Sequence, residues 1–215
     1  EAAWRAVTSS VARRDPAAAA AAVPAAVRVG LLQAAGEAAL IALQLPSTDV
    51  DTEALIAALR ARGWDGDDVL VALLTSVATT TSTGRAELRV DLDMLGDVLG
   101  DANGGYLDLA TGTAWPFEIV EDGQVEGLDP HEDPDPALWL EVPGTGSHEA
   151  YRDMVDFATD IIDPPVKCDL MAALDGRGAF RRFQSALDRH ERYRVHWRVF
   201  SAERTSGRAR AWLAQ

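Results

Sequence analysis

The sequence predicts an α+β fold, with a small antiparallel β-sheet packed with helices and an all-helical N-terminal extension ahead of it. Three observations lead there. Residues 1–84 are rich in alanine and carry apolar side chains at helical spacing. Residues 106–142 hold three short extended runs joined by turn-forming connections. From Ser147 the helical spacing returns and persists to the C-terminus. The small polar run Ala78–Gly84 marks a boundary, giving a helical part, 1–84, and an α+β part, 85–215.

A chain of 215 residues suffices for one large or two small domains. At this size roughly 70% of the unfolded surface can be buried, so no disulfide or metal is required to hold a core. Hydrophobic residues at 47% and charged residues at 25% are ordinary globular values. The single cysteine, Cys168, excludes an intramolecular disulfide framework and fits a reducing cytoplasm. Its helical setting predicts a buried, unreactive thiol. The longest apolar run, Ala17–Val27, is mostly alanine and is interrupted by Pro24, too weak for a membrane span. The chain opens on Glu1 rather than methionine, so a preceding segment, including a targeting one, stays open.

The net charge of −14 opposes nucleic acid as a whole. Its distribution is uneven. Residues 177–215 contain ten arginines against three acids (Asp188, Glu191 and Glu203), a local balance of +7 that leaves −21 for the remainder. Either the two parts neutralise each other within the fold, or the basic part meets an outside anion.

In order, the first element is a helix over Ala25–Leu43 with Val27, Leu31, Leu32, Ala35, Ala39 and Leu43 on one stripe, ended by Pro46. Asp51 caps a second, with Leu55, Ile56 and Leu59, closed by Gly63. After Trp64, Asp65 or Gly66 opens a third, with Val69, Leu70, Leu73 and Leu74. Leu88 and Val90 form a short extended lead-in, and Asp91 caps a helix carrying Leu92, Leu95 and Leu99. Gly104 and Gly105 end it. Strands follow at Tyr106–Leu109, at Ala114–Val120 (with Trp115, Phe117 and Ile119 alternating) and at Leu138–Val142. Pro116 must sit at an edge or a bulge. Asp122-Gly123 is a turn, and Asp129–Pro136 an acidic, proline-rich loop. Ser147 caps the next helix, whose buried side is Tyr151, Met154, Val155, Ala158, Ile161 and Ile162. Asp163-Pro164 starts another, with Val166, Leu170, Met171 and Leu174 inward. Gly176 ends it. Ala179 begins the following helix, burying Phe180, Phe183 and Leu187, and further helices carry Tyr193, Trp197 and Phe200, then Ala209, Trp212 and Leu213.

Gly176-Arg177-Gly178-Ala179-Phe180-Arg181-Arg182-Phe183, with Leu187, Tyr193, Trp197, Phe200, Arg204 and Ala211-Trp212-Leu213, resembles the C-terminal signature of bacterial uncharacterised protein family 0158. Val90–Asp93, Tyr106–Leu109 with Thr111-Gly112, and Tyr151–Met154 with Asp156-Phe157 extend the resemblance back to about Arg85. The loop after Leu187 is short for that pattern, and residues 1–84 lie outside it. The resemblance implies an α+β fold and no activity.

Four constellations could carry chemistry. Arg177, Arg181 and Arg182 flank a glycine-rich helix start, where free N–H groups and guanidinium groups suit an anion; with Arg198 they form the candidate partner-binding surface. The opposing expectation pairs these arginines with the stripe Glu149, Asp153, Asp156 and Asp160. That stripe has the spacing to hold a divalent cation, with Asp153, Asp156 and Asp160 as ligands, but a solvated helix face is commoner. The loop around His131 lacks both calcium and zinc spacing. Asp91 and Asp93 have the spacing of aspartates in metal–nucleotide sites, but their place at a helix start favours a cap. His148, His190 and His196 group with no serine, nor with Cys168, as a triad. The Tyr193, Trp197, Phe200 spacing fits core better than a base-stacking platform. No cofactor is indicated. The expectation is a non-enzymatic cytoplasmic binding or regulatory protein whose basic C-terminal helices meet an acidic protein partner or a nucleic-acid backbone. The alternatives are a metal-dependent phosphoester or nucleotide hydrolase using the Glu149–Asp160 stripe, and a structural oligomer subunit.

Overall fold

The computed structural model describes residues 1–45, 50–79, 89–129 and 133–215. It is mostly helical, with one small sheet. The first elements are α1 (Ala2–Arg13), α2 (Pro16–Arg28), α3 (Leu32–Ala42), α4 (Thr52–Arg62) and α5 (Asp67–Thr79). Then come α6 (Leu92–Gly100), β1 (Gly105–Asp108), β2 (Ala114–Pro116), α7 (Phe117–Glu121) and β3 (Trp139–Val142). The chain closes with α8 (Ser147–Asp160), α9 (Pro164–Leu174), α10 (Ala179–Arg189) and α11 (Glu191–Leu213). Two compact units result. One is Glu1–Glu87 with Ser206–Gln215, the other Leu88–Thr205. The last ten residues thus group with the N-terminal helices, whereas the sequence places them with the second part.

In the first unit the expected helix over Ala25–Leu43 is two helices. Gly30 at φ 81° reverses the chain between α2 and α3, and Pro24 is carried inside α2 instead of ending the apolar run. Asp15 caps α2, accepting from the Ala18 N–H at 3.0 Å ahead of Pro16. Asp51 caps α4 in the same way, and Gly63 closes it in the left-handed region. Pro46, most of the Ala78–Gly84 boundary run, Leu88 and His131 lie outside the described residues. Leu31, Leu55, Leu59, Leu70 and Leu74 fill the core between alanine faces; Leu73, expected on the apolar stripe, is exposed. The alanines let helices approach closely, and at Gly36 on α3 a Cβ would strike Leu70 of α5.

A buried polar cluster ties these helices together. Asp67, at the start of α5, accepts from Gln33 of α3 (2.7 Å), from Arg62 of α4 (3.0 and 2.6 Å) and from the Trp64 N–H (2.9 Å). Arg62 also stacks over the Trp64 ring. Arg210, in the end of α11 that belongs to this unit, donates to the side-chain amide oxygen of Gln33. That end lies backbone against backbone with the α4–α5 connection: a Cβ on Gly207 would meet the Asp65 carbonyl, and one on Gly66 would meet the Gly207 carbonyl.

The second unit centres on the order β2-β1-β3, both pairings antiparallel. Asp91 caps α6 by accepting from Asp93 and Met94 N–H groups. The expected strand Ala114–Val120 is cut short at Pro116, and Phe117 begins α7. Pro116 lies opposite Gly105 with its nitrogen on the outer edge, so no bond to β1 is lost, and Phe117 still donates to the Gly104 carbonyl at 2.9 Å before the chain turns into α7; the alternation of Trp115, Phe117 and Ile119 therefore spans two elements. Tyr106, Trp115 and Trp139 form one face of the sheet, over Val120, Val125 and Leu128. Leu107 and Val142 are buried on the other, where a Cβ on Gly105 would meet Val98 of α6.

The helices α8 to α11 build the larger core of this unit, with Met154, Phe157, Ala158, Leu170, Leu174, Phe183 and Leu187 buried together. Tyr193, Trp197 and Phe200 pack on it as expected of core residues, and Trp197 meets Phe183 and Phe157 edge to face at 5.0 and 5.3 Å. Gly146 at φ 66° precedes α8, so Ser147 is its first residue and not its cap. Tyr151 and Ile162 are exposed, contrary to the stripe read from spacing, because α8 turns its Phe157 side inward and Ile162 lies beyond its end. The expected separate C-terminal helices are one, α11. No described helix is long and apolar enough to cross a membrane.

The glycine contacts give a direct check. Gly207→Ala lowers stability by about 1–3 kcal/mol in chemical denaturation, since backbone atoms must shift. Gly100→Ala, where nothing lies within 4 Å of the new Cβ, leaves stability unchanged or raises it by up to about 1 kcal/mol.

Candidate functional site

The arginine-rich segment forms the corner between α9 and α10. Gly176 and Gly178 take φ values of 76° and 75°, which lets the chain leave α9 and re-enter a helix within four residues without a Cβ penalty. The end of α9 leaves carbonyls without intrahelical donors. Arg182, in the first turn of α10, reaches back to them. Its Nε donates to the Ala173 carbonyl at 3.1 Å and its terminal nitrogens to those of Gly176 (3.1 Å), Asp175 and Arg177. The Tyr151 hydroxyl donates to the Leu174 carbonyl at 3.2 Å. Arg182 is therefore a helix cap, which removes it from the anion-binding set expected from sequence.

Arg177 and Arg181 differ from it. Both are exposed, and among the described residues neither side chain forms an ion pair. In the sequence Phe180 stands between them, with 41% of its surface exposed, where burial was expected. It occupies the first turn of α10, beyond the rim of the core that Phe183 and Leu187 fill. Met171, in the last turn of α9, is also exposed rather than inward. Arg198 is exposed on α11, and no described bond ties it to the corner.

Of the carboxylate stripe only Asp153 is buried, while Asp156 and Asp160 are exposed. Asp153 is 1% exposed and accepts from Arg204 Nε at 2.8 Å, while Asp156 meets the same guanidinium at 3.4 Å. The expected pairing of the stripe with arginines thus occurs, but through Arg204 of α11 and not through Arg177, Arg181 or Arg182. Glu149 pairs with Arg152 at 3.0 Å, and Asp160 is exposed. Among the described residues no group of three His, Cys, Asp or Glu side chains is placed to hold a metal ion. Cys168 is exposed, which corrects the buried thiol read from the sequence.

Further arginines are paired near the chain's surface. One terminal nitrogen of Arg189 donates to both Asp169 carboxylate oxygens, at 2.8 and 2.9 Å, and His190 Nε2 lies 2.9 Å from the same carboxylate. The Arg189 hydrogen bonds, with help from His190, hold the Asp169 carboxyl below its usual range. Arg194 lies within ion-pair reach of Asp188 and Glu191.

Sequence reasoning did not single out Arg204 as a partner of Asp153, or Asp67 as a buried charge. Arg204 is separated from Asp153 by 51 positions, so no local spacing shows the pair. No family model matches the chain, and neither does any curated protein or solved structure.

Two outcomes follow. Arg182→Ala lowers stability by about 1–2 kcal/mol by removing a donor from the carbonyls at the end of α9, and Arg204→Ala by about 3–5 kcal/mol by taking the guanidinium from buried Asp153, while Arg181→Ala stays within about 0.5 kcal/mol in urea unfolding. Asp169, whose folded-state pKa is depressed, contributes stability above the unfolded carboxylate value of about 3.9 and loses it as pH falls through the lower folded value. Asp169→Asn is accordingly less stable than the parent at pH 7, and the gap closes as pH falls below the unfolded carboxylate value of about 3.9 and through the lower folded one in unfolding curves; added salt narrows it throughout.

Proposed function

We propose that the protein is a non-enzymatic cytoplasmic binding or regulatory protein that engages an acidic segment of a protein partner through Arg177, Phe180 and Arg181, with Arg198 as an outlying basic contact. One observation carries this reading: two exposed arginines without an ion pair among the described residues stand close to an exposed phenylalanine in the sequence of the α9–α10 corner. Arginine and aromatic side chains are the residue types that concentrate binding energy at protein interfaces. An acidic peptide segment fits better than a nucleic-acid backbone, because the net charge of −14 repels a long polyanion but leaves a short acidic segment free to meet the local patch. The hydrolase alternative is weaker, since a metal ion on Asp153 and Asp156 would have to displace Arg204. Family 0158 remains our proposed relationship for residues from about 85 onward.

A labelled peptide of alternating Glu and Leu, and a labelled single-stranded oligonucleotide, test the reading by fluorescence anisotropy with the full chain. The peptide binds at about 50 mM salt, and Arg177→Glu/Arg181→Glu weakens it by about tenfold or more with unfolding curves unchanged. Oligonucleotide binding that falls steeply with salt would replace the protein partner by a phosphate backbone. Binding of neither probe would overturn the corner as a binding surface.

A further inference from the structure

The outer edge of β3 lies away from the arginine corner in sequence and carries a different chemistry. The register pairs Leu107 with Leu140 and Gly105 with Val142, and the Leu109 N–H donates to the Leu138 carbonyl at 2.8 Å. These are the hydrogen-bonded pairs of an antiparallel ladder, so the alternate residues of β3 turn their backbone groups away from β1. The Trp139 N–H is taken by the Asp135 carbonyl at 2.9 Å. What faces outward is the Trp139 carbonyl and both backbone groups of Glu141, and no described strand pairs with them.

The side chains along this edge are unusual for one left open. Leu138 and Leu140 are 51% and 44% exposed, on the same sheet face as buried Leu107 and Val142. Natural edges are guarded by lysine, by proline or by a bulge, and aliphatic side chains on an open edge mark a place where another strand adds. The flanking charge says which kind of strand. Asp133 and Asp135, just ahead of β3, and Glu141, on the sheet face opposite the two leucines, are all exposed. Two copies joined edge to edge would bring these acidic rims together, so self-pairing is opposed.

We infer that the β3 edge accepts an extended, cationic segment of a partner protein as an added strand, its apolar side chains lying on Leu138 and Leu140 and its lysines or arginines facing Asp133, Asp135 and Glu141. Glu141 supplies both a donor and an acceptor to the incoming backbone. Pro143, two residues on, has no N–H to offer and ends the pairing.

The test uses the full chain with three peptides of equal length: alternating Lys and Val, alternating Glu and Val, and the first with a central proline. Hydrogen exchange is followed at the Glu141 amide and affinity by calorimetry. The lysine peptide slows exchange at Glu141 and binds more weakly as salt rises; the other two bind at least about tenfold more weakly. Glu141→Lys, at an exposed side chain, weakens the lysine peptide by about fivefold or more without altering the unfolding curve, and Leu138→Ser/Leu140→Ser does so independently. Arg177→Glu/Arg181→Glu leaves this binding in place, which separates it from the corner. Unchanged exchange at Glu141 with millimolar lysine peptide, or equal protection by the glutamate peptide, overturns the inference.

Discussion

A carboxylate taken out of water must be met by donors, and that requirement organises both units. In the first it is Asp67, 1% exposed and held by Gln33, Arg62 and the Trp64 amide. In the second it is Asp153, equally buried and held by Arg204. Removing one partner of such a pair leaves an uncompensated charge in a poorly polarisable interior, which is far more damaging than losing a surface ion pair. The helices that carry the partners are therefore constrained in position and rotation. Asp67 ties α3, α4 and α5 to one another, and Asp153 ties α8 to α11. Helix α11 carries a contributor to each cluster, Arg204 for one and Arg210 for the other.

The same sorting explains the basic C-terminal region. Its arginines are not one surface. Arg182 serves carbonyls at the end of α9, Arg189 serves Asp169, Arg204 serves Asp153 and Asp156, and Arg210 serves Gln33. Arg189 and Arg204 thus meet carboxylates from outside the region, while Arg182 and Arg210 keep their charge but spend donors on neutral carbonyl oxygens. What is left at the α9–α10 corner is Arg177 and Arg181, with Phe180 between them in the sequence. A small residual patch of this kind suits a short acidic segment, because its reach is about one Debye length, roughly 8 Å at physiological salt.

The sheet is small: Pro116 ends β2 and Pro143 follows β3, each on the outer side of its strand, and both outer strands are only three or four residues long. Tyr106, Trp115 and Trp139 give one face a compact aromatic cover, while the other face is closed by α6 only as far as Leu107 and Val142. Leu138 and Leu140 lie past that cover.

Local chemistry determined much by itself. Asp51, Asp91 and Gly63 sit where helices start and stop because capping involves groups only a few residues apart. The presence of three strands in an antiparallel sheet was legible from alternation and turn residues, though only β1 and β2 are joined by a short connection, and the placing of Tyr193, Trp197 and Phe200 against the core was legible too. Where two local signals competed, spacing misled: Phe117 and Ile119 alternate like a strand but follow a proline, and Phe180 shares a stripe with Phe183 but lies past the edge of the core. Only the tertiary structure decided which arginine meets which acid. Arg182 and Arg181 are neighbours of identical type, and the difference between a half-buried cap and an exposed side chain comes from the direction of α9's last carbonyls. Arg204 and Asp153 are brought together by packing of α8 and α11, over a separation in the chain that no periodicity spans.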